Sequence, residues 1–136
     1  MLIIGLNQLL RNFGINLTQY EFNQYIPKLR DYFFPFLLQE KKHVTDAGTL
    51  FKFELTRSDI VKSTEYYILK NEKVKSKSAI DDFLTALNCF FEEEIYEKYP
   101  NQNLMNIRPF NKLSSEIENR LNTRIIESRW LNRHLT

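Results

Sequence analysis

A single cysteine, Cys89, stands in 136 residues, so no internal disulfide can staple this chain. With no Cys or His beside it at ligand spacing, neither a metal site nor an extracellular disulfide framework is indicated, and a cytoplasmic setting is the expectation. Glycine (3) and proline (4) are also scarce. Together with an apolar fraction of 43% this argues against disorder, and no Gly/Ser linker, low-complexity run or internal repeat divides the chain. No apolar stretch reaches the roughly 20 residues of a membrane span. The N-terminal MLIIGLNQLLRNFG lacks a basic leader and is interrupted by Asn7 and Gln8 before a signal-peptide core could form. An excess of one charge is missing as well: Lys+Arg total 19 against 17 for Asp+Glu, a net +2. Such a balance does not by itself announce a nucleic-acid binder, so any case for one rests on where the charges lie.

What is present is a helical pattern over a length that suits one domain, residues 1–136, with eleven phenylalanines to build a core. The periodicity predicts an all-α bundle of four to five helices. A short helix runs from about Leu2 to Asn12, with Gly14 as its C-terminal cap. Thr18 and Glu21 form a capping-box signature ahead of a helix from about Gln19 to Lys42, whose Phe22, Ile26, Leu29, Phe33, Phe36 and Leu37 recur at three- and four-residue steps. Pro27 and Pro35 predict kinks or a break within it. Residues 43–55 lose this period, and the alternation over 50–55 predicts a short extended segment. Thr56 with Asp59 caps a helix that ends near Asn71 and directs Ile60, Tyr67 and Ile68 to the core. Ser78 with Asp81 is a third capping signature, followed by the clearest apolar stripe: Ile80, Phe83, Leu84, Leu87, Phe91 and Ile95. Pro100 stops that helix. A last one is marked by Ile117, Leu121, Ile125 and Leu131, with Arg120 and Arg124 on a shared face where Glu116 and Glu127 serve as exposed helix partners.

Between Leu55 and Met105 the motifs fall into a familiar order. Leu55-Thr56 with Asp59-Ile60 leads to Tyr66-Tyr67. Ser76 and Ser78 then sit in a basic turn, Leu84-Thr85-Ala86-Leu87-Asn88-Cys89-Phe90-Phe91 follows, and Asn101 to Asn103 close the run. This set resembles the core-binding domain of the tyrosine recombinase (phage integrase) family over about 50 of the 136 residues. The resemblance implies a SAM-like helical bundle that clamps one face of duplex DNA while a separate catalytic domain cuts and rejoins strands. The nucleophilic tyrosine, arginine and histidine pattern of that second domain is not recognisable in this chain. His43 and His134 do not open a histidine-any-any-arginine element, and Tyr66 and Tyr67 fall mid-helix, where packing is the simpler role.

The expected DNA contacts are Lys70, Lys73, Lys75, Ser76, Lys77 and Ser78 around a helix start, where backbone N–H groups and lysines together favour phosphate. Thr85 and Asn88 lie one and two turns along the polar face, within reach of base edges, and Lys41 and Lys42 form a second cationic group. Asp81 is explained by capping, whereas Asp82 departs from the family pattern and opposes phosphate. Glu92, Glu93, Glu94 and Glu97 read as a solvated face, and Cys89 as a small packing residue. Double-stranded DNA, with further protomers bound to it, is thus the expected partner. No cofactor, metal, small-molecule substrate, membrane or catalytic role is expected. A helical protein-interaction or regulatory module, using the aromatic or the arginine helix, is the alternative.

Overall fold

The computed structural model describes residues 1–71 and 77–135, and the side chains of residues 1–71 and 77–124. Among the described residues every regular element is helical: α1 (Leu2–Ile15), α2 (Gln19–Lys28), α3 (Phe34–Glu40), α4 (Ala47–Thr49), α5 (Arg57–Lys70), α6 (Lys77–Phe90), α7 (Gln102–Met105) and α8 (Ser114–Leu135). The elements are more numerous than the four to five expected, because wide turns and short helices subdivide the predicted ones. None of these helices is long and apolar enough to cross a membrane.

Three π-helical segments, Leu29–Phe33, Leu50–Glu54 and Phe91–Ile95, mark where the α-helical period fails. Each contains or adjoins two consecutive buried bulky residues: Phe33 and Phe34, Leu50 and Phe51, Phe90 and Phe91. A π turn takes in one extra residue and so rotates the apolar face, letting both neighbours reach the core. In the first segment Pro35 contributes as well. It has no N–H for the carbonyl four residues back, and Phe34 N–H bonds Leu29 O, five residues back. The predicted interruption of the aromatic helix therefore takes the form of a wide turn between the two prolines.

The extended segment expected at 50–55 is not there. Asp46 caps α4 by accepting from Thr49 N–H at 2.8 Å, and the chain continues into the π turn, where Leu55 N–H bonds Leu50 O at 3.1 Å. Strict alternation would place Phe51 and Phe53 on one face, yet Leu50, Phe51 and Leu55 are buried while Phe53 is exposed. Buried Asn101 locks this segment by donating to Phe51 O and Leu55 O at 2.8 and 3.1 Å.

Gly14 does not end α1, which runs on to Ile15 and closes at Asn16. No glycine among the described residues has positive φ. Gly14 instead allows close approach, since a Cβ there would lie 3.1 Å from the ring of Phe22. Phe22, expected in the core, lies over Gly14 and stays exposed at the surface. Gly5 is tighter, and a Cβ would meet the Cβ of Ala47 at 2.8 Å. Gly5→Ala is therefore expected to lower stability, because overpacking costs about 1–3 kcal/mol against the ~1 kcal/mol that alanine contributes as a helix former. A fall in the urea midpoint with unchanged m checks this, and a rise would show that α1 and α4 separate freely.

Both predicted capping boxes ahead of α2 and α5 are present: Thr18 with Glu21, and Thr56 with Asp59. Central α5 packs against α3, α6, α8 and the first π turn, so much of its circumference is buried, including the polar Asp59, Ser63, Thr64 and Glu65. Ser63 and Thr64 satisfy their hydroxyls on Ile60 O. The whole predicted stripe of α6 and its extension, from Ile80 to Ile95, is buried.

Candidate nucleic-acid interface

The end of α5 and the start of α6 carry two of the cations that the sequence singles out, Lys70 and Lys77. Lys70 lies in the last turn of α5, exposed, with its ammonium 5.7 Å from the centroid of the Tyr66 ring. Asn71 closes α5: its backbone N–H and its Nδ2 both donate to Tyr67 O, at 3.1 and 2.9 Å, and its Oδ1 accepts from the Tyr32 hydroxyl at 3.1 Å. The end of α5 is thus tied to the first π turn. Lys77 and Ser78 open α6 and are exposed, as is Thr85. Lys73, Lys75 and Ser76 lie outside the described residues. Ser78, Asp82 and Thr85 follow at helical spacing, so a carboxylate stands between the two hydroxyls on one solvent face.

Several expectations need correction. Asp81 is not engaged as the partner of a Ser78 cap, because α6 already begins at Lys77 and the carboxylate faces another element. Its Oδ1 accepts from Asn111 Nδ2 at 3.1 Å and from the Ser114 hydroxyl, at the start of α8. Two turns on, Asn88 is half-buried, donating Nδ2–H to Asn111 Oδ1 and accepting Phe110 N–H at 2.9 Å. Asp81 and Asn88 therefore form a polar seam that docks the 3-10 turn Phe110–Leu113 and α8 onto α6, and Asn88 is not available to a base edge. The cause is tertiary, since a segment more than 20 residues away covers a face that helical periodicity alone marks as polar and open.

Lys41 is likewise committed. Its ammonium lies 3.0 Å from Asp59 Oδ2 and donates to Glu54 O at 3.2 Å, joining the end of α3 to the cap of α5 in a site where both side chains are largely covered. Lys42 is exposed. Of the acidic run, Glu94 is buried, with Lys98 at 3.7 Å, while Glu92, Glu93 and Glu97 face solvent.

Arg120 and Arg124 of α8 reach across to α5. Arg120 Nε lies 2.9 Å from Glu65 Oε1 and Arg124 Nη1 lies 3.3 Å from Oε2, both reaching the carboxylate of α5, which is 2% exposed. Glu116 pairs with Arg57 at 2.6 Å, and that bond holds its carboxyl below the usual range. Sequence reasoning missed this α5–α8 clasp. The one signal for it was two arginines on one face of α8 together with an acid, Glu65, directly before the apolar run Tyr66 to Leu69 of α5.

Burial also sets the nearby titratable groups. It pushes the Cys89 thiol up to about 11, reinforced by Glu93, Glu21 and Glu92, so the thiol is protonated at neutral pH. It pushes Tyr96 up to about 12, opposed by the Arg108 guanidinium 3.9 Å from its ring centroid. Tyr67 is buried and stacks on Phe83 at 4.7 Å, with Tyr32 edge-on at 5.0 Å. Tyr66 is half-buried near Tyr32 and Phe36. Comparison of the chain with protein-family models, with curated proteins and with solved structures finds no match.

Proposed function

We propose that this chain is a duplex-DNA-binding module resembling the core-binding domains of tyrosine recombinases, gripping the phosphate backbone where α5 ends and α6 starts, and performing no strand chemistry itself. The observation that carries the reading is the placement of Lys70 and Lys77. Both are exposed, at the end of α5 and the start of α6, and the sequence between them adds Lys73 and Lys75. The rest of α6 supports it. Ile80, Phe83, Leu84 and Leu87 are buried, so the helix is anchored through one face and offers Lys77, Ser78 and Thr85 on the other.

Cations at a helix start neutralise phosphates and release counterions, which gives salt-sensitive affinity with little sequence information. Thr85 is the candidate residue left for a base edge once Asn88 is committed to Phe110 and Asn111. Asp82, on the same face, limits how closely this helix approaches a groove. Lys42 stays as the exposed cation of the second group, in place of Lys41.

A gel-shift titration of a duplex against salt tests the proposal. Lys70→Glu combined with Lys77→Glu is expected to weaken binding markedly and to reduce the slope of log K against log salt by about 2, close to 0.9 for each phosphate that is no longer neutralised. Unchanged affinity and slope in that variant would overturn it.

A further inference from the structure

The first 22 residues present an apolar surface that neither the core nor the α5–α6 site uses. Of the nine large hydrophobic side chains exposed among the described residues, six lie here: Met1, Ile3, Ile4, Ile15, Tyr20 and Phe22. Exposed apolar residues scattered singly are ordinary, whereas a shared apolar lining marks an interaction surface, and two of the six, Ile15 and Phe22, share one. On α1, Met1, Ile4, Gln8, Arg11 and Ile15 follow at three- and four-residue steps and share a face roughly opposite the buried Leu2, Leu6, Leu9 and Phe13.

Where α1 meets α2 the surface opens into a groove of about 580 Å³, lined by Leu10, Gly14, Ile15, Phe22 and Ile26. Gly14 is integral to it, because Phe22 lies so near that a side chain at this position would press on the ring. Two charged residues also line the groove, and both are arginines. Arg30 is neutralised by a forked pair with Asp31, at 2.8 and 2.9 Å. Arg11 makes no ion pair among the described residues, so the groove carries one uncompensated positive charge beside an apolar lining.

We propose that this groove docks one amphipathic α-helix of a partner protein, with apolar side chains at i, i+3 or i+4, and i+7 entering along Leu10, Gly14 and Phe22, and with an aspartate or glutamate beside them meeting Arg11. A cleft between two helices suits a row of side chains at helical spacing. The charge selects among occupants. A nucleic-acid backbone would find Arg11 but nothing to bury against Ile15 and Phe22. A second copy docking by the same face would bring a second Arg11 and no carboxylate from the groove lining to pair with either. An acid-flanked apolar helix satisfies both the lining and the charge.

The test uses the full chain and a synthetic helix of about four turns, apolar at i, i+4 and i+7, with glutamates flanking that face. Two control peptides carry lysine in place of those glutamates, or the same composition scrambled. Saturable NMR shifts at Gly14, Ile15 and Phe22 are expected with the glutamate peptide and not with the scrambled one. Arg11→Glu is expected to weaken the glutamate peptide about tenfold while strengthening the lysine peptide, a charge swap that lost folding cannot imitate. Ile15→Asp, at an exposed position, should abolish both. Three results would each overturn the proposal: no saturable shift in the groove, equal binding of the scrambled peptide, or a dimer in solution that Ile15→Asp dissociates.

Discussion

Phe91→Ala is expected to destabilise the fold by about 3–5 kcal/mol, the range for truncating a fully buried phenylalanine, which combines lost transfer energy with a cavity that the surroundings fill incompletely. This position should lie at the upper end. Phe91 is wholly buried at the start of the third π turn, and five rings surround it: Phe110 at 5.3 Å, Phe51 and Tyr96 at 5.7 Å, Phe90 at 5.9 Å and Phe33 at 6.1 Å. Those neighbours come from four separate parts of the chain, so no single element can shift to close the gap. Because a domain of this size is stable by only about 5–15 kcal/mol, the variant should be largely unfolded in modest urea. The control is Phe53→Ala, an exposed ring in the second π turn, expected to change stability by about 0.5 kcal/mol or less. Urea unfolding followed by circular dichroism separates the two, and similar midpoints for both variants would contradict the cluster as the centre of the core.

Removing both guanidinium groups from the α5–α8 clasp, Arg120→Ala with Arg124→Ala, is expected to destabilise by about 3–5 kcal/mol, trimmed somewhat because the arginines themselves are near half-exposed and screened. The loss arises at Glu65, whose buried carboxylate would be left with neither cation. Arg120 alone should carry more than Arg124, since its contact is shorter and properly hydrogen-bonded. Adding Glu65→Leu to the double variant should recover most of the stability, because an apolar side chain of similar size avoids the cost of an unpaired buried charge. Exposed helix pairs would behave differently: each removal would change stability by less than about 1 kcal/mol, and Glu65→Leu would rescue nothing. Urea unfolding of the four variants decides between these cases.

Much of the local architecture was legible in the sequence because its causes are local. The Thr18 and Thr56 capping boxes need residues only three apart, and the stripe of α6 is set by helical spacing. The period alone could not assign residues 50–55, where Phe51, Phe53 and Leu55 alternate as in a strand, yet the chain forms a π turn that buries Leu50, Phe51 and Leu55. The candidate site divides in the same way. Exposure of Lys42, Lys70, Lys77, Ser78 and Thr85 agrees with their sequence context. Lys41 and Asn88 carry the same polar signature, yet partners distant in the chain occupy them: Asp59 for the first, Phe110 and Asn111 for the second.

The sequence by itself determined an all-helical chain, where two of its helices begin, and which face of α6 turns inward, because backbone capping and side-chain periodicity act within a few residues. Only the tertiary structure decided which polar groups are left for a partner. An ion pair such as Glu65 with Arg120 joins residues 55 apart, and a groove such as that between α1 and α2 exists only once Phe22 has been placed over Gly14. Charge and apolarity are written in the chain residue by residue, but whether a side chain is covered depends on which segments meet, and that is settled by packing.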